Sequence, residues 1–277
     1  MFLPAFSSSL NRLCAKPLRA LCACIAFVVV AGSIGGCNLL PEVKDPYAQF
    51  TAEQLYRQGK DAMLEGNFTK AVKVFEALEA RYPYGRYAQQ ALLEGAYANY
   101  RTGETATAIA ACDRFIRTYP NHPSVDYAYY LKGLVYFRED QGLIGYVYEL
   151  DLSERDPKSM RESFIAFKEL VAKFPDSKYA QDAVDRMRYL SNSLALYEVR
   201  VARYYYSRGA YVAAINRAQQ ALVLYPRTPA EKDALELLIQ CYDKLGLPQL
   251  RDDKQAILKL TFPNAEPPKP KPWWQFW

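Results

Sequence analysis

The feature that most restricts what this chain can fold into is an aromatic residue followed by proline, repeated five times. The pairs are Tyr82-Pro83, Tyr119-Pro120, Phe174-Pro175, Tyr225-Pro226 and Phe262-Pro263, with the prolines 37, 55, 51 and 37 residues apart. Upstream of the first pair, Phe68, Ala71, Val72, Phe75, Leu78 and Tyr82 step by three and four, which is one face of a helix. Proline then stops that helix. A second helical pattern precedes each of these, set off by Gly66-Asn67, Gly103, Gly209 and Gly246. Helix–turn–helix units recurring at this length indicate an α-solenoid. No alternating strand pattern competes, so the predicted fold class is all-α. Five helix pairs are expected, at roughly 51–82, 86–119, 124–174, 178–225 and 228–262.

The register within each pair resembles tetratricopeptide repeats. There a small residue is followed by Tyr three later, Ala twelve later, Phe sixteen later and Pro twenty-four later. The first unit supplies Gly59, Ala71, Phe75 and Pro83, the second Ala96, Ala108 and Pro120, and the fourth Ala202, Tyr205, Ala214 and Pro226. The fifth keeps Tyr242 and Pro263. The third begins correctly with Gly133 and Tyr136, but its Phe167 and Pro175 come late, because about 18 extra residues lie between its helices. Small residues are needed where helices approach closely, and aromatics fill the gaps between them.

The segment before the repeats reads as an export signal. Residues 10–20 are basic and free of acids, and residues 21–34 are almost wholly apolar. An apolar run of about 14 residues is too short to span hydrocarbon as a helix, which takes about 20. Ile34-Gly35-Gly36-Cys37 then resembles a bacterial lipobox, with Cys37 as the acylated first residue of the mature chain. Asn38, rather than Asp, follows it, as in lipoproteins sorted to the outer membrane. The expected organisation is a signal peptide (1–36), an acylated leader (37–50) and repeats one and two with the first helix of repeat three (51–139). An inserted loop (140–156), the remaining repeats (157–263) and a Pro/Lys-rich tail (264–277) complete it. The tail ends in Trp273, Trp274, Phe276 and Trp277, residues suited to a lipid headgroup interface or to docking on protein, with a dispensable disordered linker as the alternative.

Net charge is +5, and three of the basic residues, Arg12, Lys16 and Arg19, precede Cys37. The rest is nearly balanced, which argues against a nucleic-acid partner. Of six cysteines, Cys112 and Cys241 alone follow the lipobox. Both sit in apolar helical stretches and are expected to be separate buried thiols, with a disulfide as the alternative in an oxidising compartment. The chain carries a single histidine, His122, in a Tyr-Pro-Asn-His-Pro turn. There is no nucleophile elbow, phosphate loop or zinc spacing. A non-enzymatic binding scaffold is therefore expected, without cofactor or metal, offering a concave surface to peptide.

Several segments sharpen this. Glu65-Gly66-Asn67-Phe68, Asp113-Arg114-Phe115-Ile116-Arg117, Lys132-Gly133-Leu134, Asp151-Leu152-Ser153-Glu154-Arg155-Asp156-Pro157 and Ser207-Arg208-Gly209-Ala210-Tyr211 occur in that order. Together with the lipobox they resemble the BamD (ComL/YfiO) family of outer-membrane assembly lipoproteins, over Cys37 to about Asn264. The resemblance implies a lipid-anchored, periplasm-facing subunit of the β-barrel assembly machine at the outer membrane. Its implied partners are the POTRA domain of the barrel subunit, companion lipoproteins and the C-terminal signals of unfolded barrel proteins. Arg208, Asp151, Arg155 and Asp156 are the implied partner-binding residues. The alternative is a tetratricopeptide-type scaffold lipoprotein linked to peptidoglycan or division machinery. In the repeat register, first-helix positions facing the groove include Glu53, Tyr56, Lys60 and Met63, then Gln90, Leu93, Tyr97 and Tyr100 with Arg101, then Tyr127, Tyr130, Leu134 and Phe137. Tyr56, Lys60, Met63, Gln90, Tyr97, Tyr100, Arg101, Tyr127 and Tyr130 are the candidate peptide-groove residues, with Lys60 or Arg101 expected to take a terminal carboxylate.

Overall fold

A computed structural model describes residues 46–139 and 157–263. Cys37, Asp151, Arg155, Asp156 and the aromatic tail fall outside the described residues. Those described form helices and turns, with no strand among them. The helices are α1 (Ala52–Leu64), α2 (Phe68–Arg81), α3 (Arg86–Thr102), α4 (Thr105–Thr118), α5 (Val125–Glu139), α6 (Lys158–Lys173), α7 (Ala180–Ser207), α8 (Tyr211–Leu224), α9 (Ala230–Lys244) and α10 (Pro248–Thr261). Each packs against the next, and first helices of neighbouring pairs also touch: α1 with α3, α3 with α5, α7 with α9. That is the layering of a tetratricopeptide-like solenoid. No described helix is both long and apolar enough to cross a membrane.

The aromatic-proline signal works as a stop. Tyr82, Tyr119, Phe174, Tyr225 and Phe262 are the caps that end α2, α4, α6, α8 and α10, each donating its N–H to the carbonyl four residues back. All five share φ between −124° and −136° and ψ between 56° and 71°. The following proline excludes the helical region for the residue before it. The described turns inside pairs have a different stop. Gly66 and Gly103 have φ of 76° and 86°, a left-handed conformation open to glycine at little cost. The next N–H then reaches back, Asn67 to Ala62 at 2.8 Å and Glu104 to Asn99 at 2.9 Å, closing a Schellman turn. The same closure recurs after α7 and α9. His122 is a turn residue, accepting the Ser124 N–H at Nδ1 with its ring edge-on to Phe115.

Packing follows the small-residue and aromatic register. A Cβ placed on Gly59 would strike the Phe75 ring, and one on Gly133 would strike the Phe167 ring. The contact in unit three thus survives although its two residues are 34 apart instead of 16. Two core clusters share α7: one runs from Leu92 to Leu194, and the other begins at Ala195 and extends to Tyr242. Glu198, just past that junction and 2% exposed, accepts from Arg161 of α6 at 3.3 Å and Arg217 of α8 at 3.1 Å.

Cys112 and Cys241 are buried free thiols. Burial pushes Cys112 up to about 12 and Cys241 up to about 11. At pH 8 both are therefore protonated, and the thiolate is the reactive form. Neither should react with a water-soluble thiol reagent in the folded protein, whereas both should react at once in denaturant. Stoichiometric native labelling of either would contradict this.

Candidate functional site

A cleft of about 750 Å³ opens on the first-helix side of units one to three. Lys60 and Met63 come from α1, and Leu93, Glu94 and Tyr97 from α3. The turn into α5 adds Pro123 and Ser124, the start of α5 adds Asp126 and Tyr127, and the turn into α7 adds Asp176 to Tyr179. Five of the first-helix positions expected from register, Lys60, Met63, Leu93, Tyr97 and Tyr127, line it.

The remaining candidates do not line the cleft. Tyr56 packs between Phe75 and Tyr87, with ring centroids 6.2 and 5.6 Å away. Tyr130 stacks on Tyr179 at 4.7 Å and 15°, and donates its hydroxyl to Asp182 at 2.7 Å. Tyr100 lies 6.2 Å from Tyr97, and Gln90 is exposed on α3. Arg208 is the cap of α7, exposed, its guanidinium 5.4 Å over the Tyr204 ring.

The two cations proposed for a carboxylate are in unlike states. Lys60 donates to Glu94 at 2.7 Å. Burial alone would lower its pKa, but the hydrogen bond and charge of Glu94 outweigh that, and the net shift is upward. Arg101 stacks 4.3 Å over Phe68 and donates to the Tyr97 hydroxyl at 2.9 Å. Among the described residues it forms no ion pair, so most of its donors are available to an incoming anion.

Burial and neighbouring tyrosines hold the Tyr127 phenol far above its ordinary range, and burial, with the Asp182 hydrogen bond adding to it, pushes Tyr130 up to about 12. Phenols so held are neutral at any physiological pH. Tyr127 lines the cleft as a neutral phenol, whereas the Tyr130 hydroxyl is already donated to Asp182 and can only accept.

Register did not reveal Glu94, Tyr179 or Phe68. Glu94 lies one turn before the groove position at Tyr97, while Tyr179 belongs to a turn and Phe68 to a second helix. A comparison of the groove positions of first helices passes over all three.

Fold and site together define a tetratricopeptide-like binding scaffold with an aromatic, mixed-charge cleft. Residues 48–258 match the YfiO family, outer membrane lipoproteins, and the chain belongs to that family. It is 45% identical to outer membrane protein assembly factor BamD of Neisseria meningitidis strain Z2491, over 82% of this chain and 88% of the relative. The Xylella fastidiosa Temecula1 factor is 37% identical over 93% and 87%, and that of Vibrio cholerae 34% over 82% and 92%. Among solved structures, a MamA crystal structure aligns at TM-score 0.37 and 16% identity, covering 78% of this chain and 98% of that one. A tetratricopeptide repeat protein from Parabacteroides merdae aligns at 0.36 and 16%, covering 81% and 69%.

Proposed function

We propose that this chain is a lipid-anchored subunit of the machinery that assembles outer-membrane β-barrels. In this reading Cys37 carries the anchor and the repeats face the periplasm. One end of the solenoid, including Arg208, engages the POTRA domain of the barrel subunit, and Asp151, Arg155 and Asp156 contribute to partner contacts. The observation that carries the reading is the similarity, over most of both chains, to proteins named outer membrane protein assembly factor BamD. Those names favour assembly over a peptidoglycan-linked scaffold. The cleft adds a chemical rationale for receiving unfolded barrel segments, since such a segment is extended, ends in an aromatic residue and carries a free carboxylate.

Arg101, not Lys60, is the carboxylate anchor in this proposal, because Lys60 is already committed to Glu94. A synthetic barrel C-terminal peptide should crosslink to photoreactive groups placed at 56, 97, 100 and 130. Arg101→Ala should weaken the free-acid peptide about tenfold and leave its C-terminal amide nearly unchanged, since a charge-assisted hydrogen bond contributes about 1.5–3 kcal/mol. Lys60→Ala should do much less. Equal loss for acid and amide, or labelling confined to units four and five, would move the site. Recovery of the barrel subunit with the purified full chain tests the broader reading.

A further inference from the structure

A second cleft, of about 660 Å³, lies between units one and two and shares no lining residue with the first. It is framed by α2, the α2–α3 turn, the start of α3 and α4. Ala88 and Leu92 of α3, both buried, give it an apolar base. Its charges do not balance. Glu76 and Glu79 of α2 both line it, three residues apart and therefore neighbours on one helix face. Arg114 of α4 is the one cation among the lining residues, and it donates to Glu79. Burial raises the Glu79 carboxyl, the charge and hydrogen bond of Arg114 oppose this, and the net shift is still upward. Glu76 is exposed and forms no ion pair among the described residues. One guanidinium thus leaves one carboxylate uncompensated, in a chain whose net charge is +5. Tyr84, in the α2–α3 turn, also lines the cleft and is 89% exposed.

We infer that this cleft receives an arginine side chain presented by a partner protein. The apolar base takes the methylene stem, as long cationic side chains lay their stems on apolar surface. The guanidinium lies between Glu76 and Glu79, where its planar fork meets both carboxylates. Tyr84 offers its ring face to the same cation. A lysine ammonium is a compact point charge and cannot bridge two carboxylates and stack at once. Arg114, reaching Glu79 from α4, already makes one such contact from within the chain. A single uncompensated carboxylate calls for a single positive charge, which favours an arginine side chain over a free polyamine, and the neighbouring Arg114 disfavours a divalent ion. The site stands apart from the peptide cleft, and neither reading needs the other.

The test titrates the full chain in detergent, with isotope-labelled alanine, leucine and methionine methyls, by nuclear magnetic resonance. The probe is a short acetylated and amidated alanine peptide with one central arginine. Expected are saturable shifts of Ala80, Ala88 and Leu92, while Met63, which lines the first cleft, stays unmoved. Replacing the arginine by citrulline, neutral and of the same shape, should weaken binding about tenfold, and lysine about threefold. Glu76→Gln and Tyr84→Ala should each weaken the arginine peptide about threefold. Both residues are exposed, so the variants keep the fold, which unchanged methyl signals of Leu237 and Leu238 should verify. Movement of Met63 in place of Ala88 would overturn the inference. So would equal binding of the citrulline or lysine peptide, or an affinity that neither variant changes. Spermidine saturating the same methyls at lower concentration than the peptide would assign the cleft to a free polyamine and overturn it too. Shifts of Met63 by a barrel C-terminal peptide report on the first cleft separately, so failure of one reading leaves the other standing.

Discussion

Phe167→Ala is expected to lower stability by about 3–5 kcal/mol, the range for removing a fully buried phenylalanine. The ring is 0% exposed and fills the space that Gly133 leaves on the facing helix. Alanine at 167 opens a cavity between α5 and α6, and those helices carry the first core cluster. Gly133→Ala attacks the same contact from the other side, because its new methyl strikes the ring. Overpacking of that kind costs about 1–3 kcal/mol. The two changes should not add. With Phe167→Leu in place, Gly133→Ala should be tolerated better than in the parent, with a coupling of about 0.5–3 kcal/mol in a double-mutant cycle by urea unfolding. Strict additivity would mean that the two residues do not share this contact.

The second large effect is expected at Glu198. Its carboxylate is buried on α7 between arginines from α6 and α8, where the two core clusters meet. Breaking a wholly buried ion pair costs about 3–5 kcal/mol, since one charge is stranded. Here Arg161 and Arg217 are 46% and 38% exposed and can turn to water. The expected loss for Glu198→Ala is therefore nearer 2 kcal/mol. Stability in a solenoid is a sum of unit terms and neighbour terms, and this triad is a neighbour term. In the variant, units one to three and units four and five should unfold at separate denaturant concentrations, seen by hydrogen exchange of α3 against α9. A single coincident transition, or a loss confined to one block, would sink the idea that Glu198 couples them.

Much of the fold could be read from the chain. Helix spacing of three and four, five aromatic-proline stops and four turn glycines are local signals, and tertiary packing had no reason to override them. The delayed Phe167 could be matched to Gly133 because a repeat states its own rule elsewhere, at Gly59 and Phe75. The site was less legible. Register brings Lys60, Met63, Tyr97 and Tyr127 to one side, but a helical wheel is silent on which cation is already paired. That Lys60 meets Glu94 while Arg101 lies on Phe68 depends on side chains crossing between helices. The turn before α7, which brings Tyr179 against Tyr127 and Tyr130, has no periodicity to betray it.

The delayed contact in unit three also bears on how such a chain can change over generations. Lengthening a turn by 18 residues raises the entropy of closing it by at most about 2 kcal/mol, because that cost grows only as the logarithm of length. Burial of one phenylalanine exceeds it. The connection between α5 and α6 is thus a place where length can change while α5 and α6 keep their packing, and a tag or reporter domain could be inserted there by design, ahead of Asp151.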